Sequence, residues 1–164
     1  MSRDVLAASF SISQQIILGN LVDINHQESL EQPRPEGNCL NWIAGHILAS
    51  RASILNTLGE QPFLSDAEEK PYRRGSAPLK PGDECVDFDK LRAGLMESGG
   101  AIVNKLKSLA DDYIEAEIDP KEVPIPTEEP TRNGLLTFLL YHEAYHVGQL
   151  GFGRRLLGKK GAIR

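Results

Sequence analysis

The chain has 164 residues, a length that suits one ordinary domain and can bury a sizeable core without disulfide staples. Hydrophobic residues make up 40 % and charged ones 25 %, and 18 basic against 23 acidic side chains leave a net charge of −5. That mild acidity excludes the basic footprint of a nucleic-acid binder, and no apolar run approaches the ~20 residues that span a bilayer. Arg3 and Asp4 precede a mixed stretch without a signal-peptide apolar core. The two cysteines, Cys39 and Cys85, form no CxxC pair and read as reduced thiols. A single-domain, cytoplasmic protein is expected.

Proline breaks helix interiors, and all ten prolines fall in three zones: 33–35, 62–81 and 120–130. The gaps around them, residues 1–32, 36–61, 82–119 and 131–164, leave room for four helices. In the first, Leu6, Phe10, Ser13, Ile17, Leu21 and Ile24 recur at helical spacing. The second carries Ile43, Ile47, Ser50, Ile54 and Leu58, with Asn38 as its expected N-cap. A long connection at 60–86 follows. The third gap carries Leu91, Leu95, Gly99, Ile102, Leu106 and Leu109, starting near Asp87. Alternation at Tyr113–Ile118 suggests a short strand or extended loop inside the second long connection, 110–130. The fourth carries Leu135, Phe138, Leu139, His142, His146 and Gln149, starting near Thr131 or Asn133 and closed by Gly158 and Gly161. The expected fold is an all-α four-helix bundle with long crossover connections, so the helices need not run up-down-up-down.

Four histidines are present: His26, His46, His142 and His146. His142 and His146 are spaced i, i+4, one above the other on a helix face. That face also carries Leu135 and Leu139 and so points inward. Two imidazoles one turn apart can chelate a divalent ion, whereas two buried unpaired imidazoles are costly. The string His142-Glu143-Ala144-Tyr145-His146 matches the HExxH pattern of zinc peptidases. Those enzymes take a third ligand from downstream, and Val147–Arg164 contain no His, Asp, Glu or Cys. A peptidase is therefore not expected. A third ligand must come from upstream, and His46 is the best candidate. Three imidazoles leave an open coordination position, as catalytic sites do. His26 reads as a cap near the end of the first helix.

The segment Asn38-Cys39-Leu40-Asn41-Trp42-Ile43-Ala44-Gly45-His46 resembles the helix-two motif of the DinB/YfiT superfamily. The segment His142–Leu150 resembles its final-helix motif, in which HxxxH precedes a Gly-Gln pair. The likeness spans essentially the whole chain. It implies a four-helix bundle with a divalent ion, often zinc or nickel, on His46, His142 and His146. Members include thiol-dependent S-transferases and metal-dependent hydrolases. Val147 departs from the pattern, because relatives often carry Arg or another polar residue there.

Such a site can acidify a bound water or bind a low-molecular-weight thiol as thiolate. The expected function is thus a metal-dependent thiol S-transferase or hydrolase acting on a small molecule. The alternative is a non-catalytic metal-binding or stress-associated bundle. Glu143 is a candidate catalytic base or second-shell partner, and Gln149 a candidate second-shell or substrate group. Cys39, seven residues before His46, reads as a small core residue. Arg154 and Arg155 read as groups closing the helix end. A second apolar stripe, Leu136, Leu140, Ala144, Val147 and Gly151, lies about 200° from the ligands. It needs either a connection or a second copy to cover it, and a two-fold homodimer is expected.

Overall fold

The computed structural model describes residues 1–33, 37–80, 82–123 and 130–163. Pro35, Pro81, Pro124 and Pro126 lie outside the described residues. Ser2 accepts a hydrogen bond from the Val5 N–H and opens helix α1 (Arg3–Leu21). A capping box of Asn25 and Glu28 starts the short α2 (His26–Ser29). Helix α3 (Leu40–Thr57) is entered through Cys39, one residue past the expected Asn38, and Cys39 supplies no side-chain cap. The first long connection folds into α4 (Asp66–Glu69) and a 3-10 turn, Lys70–Tyr72. Asp87 caps α5 (Phe88–Ser108) and Thr131 caps α7 (Arg132–Leu156), both at expected positions. Gly158, at φ +75°, takes the left-handed turn that stops α7.

The alternating segment is corrected by the structure. Tyr113, Ile114 and Glu115 belong to the short helix α6 (Asp111–Glu115), and only Glu117 pairs, in one bridge with Thr131. The acidic pair Asp111–Asp112 favours a helix start there, and buried Ile114 anchors the turn.

The four long helices form a ring in the order α1, α5, α3, α7. Met1 meets Asn133 at the start of α7, while Arg154 near its end donates to carbonyls of Asn20 and Val22. So α1 and α7 run parallel. Arg92 reaches the Ile24 carbonyl and Arg3 the Leu109 carbonyl, which makes α5 antiparallel to α1. Arg51 reaches Leu95 and Ser98, and Lys105 pairs with Glu60, so α3 runs with α5. The direction is up-down-down-up, and the long α3–α5 crossover is what two parallel helices require.

Along the bundle the core divides into two apolar zones. One gathers Ile17, Leu21, Ile43, Ile47, Leu91 and Leu150. The other gathers Leu6, Phe10, Ile54, Leu55, Ile102 and Leu136. Between them a buried polar layer takes one side chain from each helix: Ser13, Arg51, Ser98 and Glu143. Leu64, Tyr72, Leu79 and Val86 of the first connection join the former zone, and Tyr72 lies directly on α3. For that reason α3 is buried on nearly every side from Leu40 to Ala49.

The covering of α7 differs from expectation. Helix α1, rather than either connection, lies along its second stripe: Ser13 bonds Glu143, Asn20 faces Gly151, and Phe10 shares a cluster with Leu136 and Leu140. Leu136, Leu140 and Val147 are buried within the chain. No helix among the described residues is long and apolar enough to cross a membrane.

Candidate metal centre

A single segment of α3 builds half the site. Gly45 has no side chain where a Cβ would lie 2.3 Å from the Tyr72 ring, so that ring rests flat on the helix. The Tyr72 hydroxyl donates to Asn41 Oδ1 (3.0 Å) and accepts from the Val86 N–H (2.7 Å), while Asn41 Nδ2 donates to the Val86 carbonyl (3.0 Å). The connection is thereby locked, and the Tyr72 carbonyl sits 2.6 Å from His46 Nδ1. Trp42, one turn before His46, stacks on its ring at 4.8 Å and 11°. The indole N–H donates to Ser76 Oγ (3.1 Å), which donates in turn to the Pro71 carbonyl (2.7 Å).

A carbonyl only accepts, so His46 carries its proton on Nδ1 and turns the Nε2 lone pair inward. His146 Nδ1 lies 2.8 Å from Gln149 Oε1, which fixes the same tautomer. The Nε2 atoms of His46 and His146 then meet His142 Nε2 at 3.4 Å and 3.3 Å. All three ligand atoms lie within 4.8 Å of one another. Desolvation pulls His146 down to about 4, and it lowers His142 with help from His46 and Arg74. Both imidazoles are therefore neutral near pH 7, the form in which imidazole binds a metal. Neutral nitrogens with convergent lone pairs are the donor set of a divalent transition metal. The cluster is compatible with metal binding.

His46 and His142 border a cleft of about 440 Å³. Ser50 and Ser53 extend the His46 face of α3 along one side, Phe138 and Leu139 of α7 line it too, and the exposed Arg73 and Arg74 stand at the lip.

Glu143, the candidate base of the HExxH string, lies in a buried ion pair. Its carboxylate, 2 % exposed, takes Arg51 Nε at 2.7 Å, Arg51 Nη2 at 3.1 Å and the Ser13 hydroxyl at 2.5 Å. Arg51 Nη1 completes the set on the Leu95 carbonyl (2.7 Å) and Ser98 Oγ (3.0 Å). Cys39 is buried in the core with its thiol pKa raised by burial, and Val147 is also core. Arg154 and Arg155 bond to backbone carbonyls around the C-terminal turns. His26 does not end α1, which stops at Leu21; it opens α2, and its Nδ1 accepts from the Phe88 N–H (3.2 Å). Tyr72 and Arg51 have no local signal in the sequence. The one hint is an arginine, Arg51, within an otherwise apolar helix.

The DinB superfamily model matches residues 10–150, a span that contains all three clustered histidines. The chain belongs to the DinB superfamily. Among solved structures, a DinB-like protein from Bacillus cereus superposes with a TM-score of 0.69 at 17 % identity, covering 95 % of this chain and 93 % of that one. A conserved protein from Enterococcus faecalis gives 0.69 at 18 % identity, covering 94 % and 96 %. A DinB-like protein from Bacillus subtilis gives 0.64 at 18 % identity, covering 95 % and 94 %. At such identities the likeness concerns the fold, which is the all-α DinB-like one. No curated protein matches this superfamily member.

Proposed function

We propose that the protein holds one divalent ion, zinc or nickel, on His46, His142 and His146, and catalyses thiol S-transfer or hydrolysis on a small molecule. The observation that carries the reading is the convergence of three Nε2 atoms, two with their tautomers fixed from behind, beside an open cleft. When bound there, such an ion supplies Lewis acidity and acidifies a coordinated water or low-molecular-weight thiol. The chain's own residues do the rest. Tyr72 and Gln149 orient two rings, Trp42 shields one face of His46, and Phe138 keeps one side of the cleft apolar. Gln149 is thus proposed as a positioning residue behind the metal. Glu143 is proposed as structural, and the peptidase reading finds no base in it.

The test is a panel of small electrophiles with several thiols, run beside simple esters and amides on zinc- and nickel-loaded protein. Turnover should vanish with a chelator and return with added metal. Turnover indifferent to chelation contradicts the proposal, and metal binding without turnover favours the non-catalytic alternative. Two unpaired cysteines support a cytoplasmic setting.

For assembly we propose a two-fold homodimer through α1 and α7. Tyr141, Tyr145 and Phe152, spaced i, i+4 and i+11 on α7, are 69 %, 66 % and 63 % exposed. Ile12 of α1 is exposed and lines, with Tyr141, an apolar groove of about 580 Å³ between the two helices. Exposed apolar surface of this kind marks an interface, and light scattering at micromolar concentration checks it. A monomer would overturn it.

A further inference from the structure

Two arginines stand at the lip of the metal-site cleft, and their surroundings differ. Arg73 is held by two carboxylates, Asp66 and Glu69, the latter at 3.0 Å, so its guanidinium is already engaged. Arg74 makes no hydrogen bond or ion pair among the described residues and is exposed at the same opening. Arg74 is therefore the guanidinium at this opening that no carboxylate among the described residues engages. The cleft lining offers two further donors, the Ser50 and Ser53 hydroxyls, one turn apart on the His46 face of α3. Neither hydroxyl has a side-chain hydrogen bond among the described residues. Opposite them Phe138 presents an apolar ring, stacked toward His142 at 6.4 Å and 21°.

We infer that the cleft selects small carboxylic acids, with Arg74 taking the carboxylate at the lip while the molecule's body lies between the Ser50–Ser53 face and Phe138. A guanidinium fork matches a single carboxylate in two parallel hydrogen bonds. One guanidinium balances one negative charge, which suits a monoanion better than a phosphate monoester carrying nearly two. The cleft volume of about 440 Å³ limits the guest to a small molecule. The inference rests on the proposed metal centre, because only a group bound there gives the far end of the substrate something to meet.

The experiment uses cobalt(II)-loaded full-length protein and a series of ω-mercapto carboxylic acids of increasing chain length, each beside its neutral amide. Affinity is read by the sulfur-to-cobalt charge-transfer band, and by calorimetry whether or not sulfur reaches the metal. At the best chain length the acid should bind about tenfold tighter than the amide. Arg74→Gln should erase that preference, bringing acid and amide to equal affinity, and Arg74→Lys should keep part of it. The preference should shrink with added salt, as an exposed charge requires. Equal binding of acid and amide, or a preference that survives Arg74→Gln, overturns the inference. Absence of cobalt absorption before any thiol is added overturns the metal reading itself, and this inference with it.

Discussion

Two buried polar clusters sit on neighbouring turns of the same two helices, and they are built on opposite principles. In one, Arg51 of α3 meets Glu143 of α7, and every donor named there faces an acceptor, with Ser13, Ser98 and the Leu95 carbonyl completing the set. In the other, His46 of α3 meets His142 and His146 of α7, and the inward Nε2 lone pairs of His46 and His146 have between them no donor other than the single proton His142 can offer. Satisfied buried polarity ties helices together, and in doing so it leaves nothing for a ligand. Convergent acceptors with fewer donors than lone pairs are costly to bury, so their persistence points to something that binds between them. The adjacent residues His142 and Glu143 therefore have different work, although the HExxH string presents them as one motif.

The comparison breaks most visibly through Glu143→Ala. Arg51 would be left buried without its anion, at a cost of about 3–5 kcal/mol, a large share of the ~5–15 kcal/mol that holds a domain folded. Denaturant unfolding reads this directly, and pairing Arg51→Met with Glu143→Leu should recover most of the loss. The contrasting variant, His142→Ala in metal-free protein, should cost about 1 kcal/mol or less. An effect smaller than that of Glu143→Ala is expected for Gly45→Ala, whose Cβ would strike the Tyr72 ring. Overpacking of this kind costs about 1–3 kcal/mol, and it should weaken metal binding too by moving the Tyr72 carbonyl off His46. Gln149→Ala should lower metal affinity about 10- to 100-fold, as loss of a group behind a ligand does, with unfolding nearly unchanged. Competition against a chelating dye measures it.

The last effect is in pH. His146 is pulled down to about 4 in the fold by desolvation, against an ordinary value near 6.5. Between those values the unfolded chain binds a proton that the folded chain refuses. Metal-free stability should therefore be level above about pH 6.5 and decline as pH falls toward 4. Melting curves across that window test the sign, and His146→Ala should flatten the slope.

Much of the bundle was legible because its signals are local. Proline zones bounded the helices, Asp87 and Thr131 announced two starts, and the i, i+4 histidines lie on one face by helix geometry alone. What escaped depends on distant partners. Glu143 finds Arg51 across 92 positions and Ser13 across 130, and no periodicity encodes either pairing. Tyr72 acts through its carbonyl, an atom every residue possesses, so its identity carries no trace of that role. The second stripe of α7 was rightly read as needing cover, but which helix supplies it is decided by the up-down-down-up order.

Metal content tests the central claim most directly. Wild-type protein dialysed against limiting zinc or nickel and analysed by mass spectrometry should hold about one ion per chain. His46→Ala, His142→Ala and His146→Ala should each lose most of it, while His26→Ala keeps it. Full occupancy in His46→Ala, or no metal in the wild type, would contradict the account.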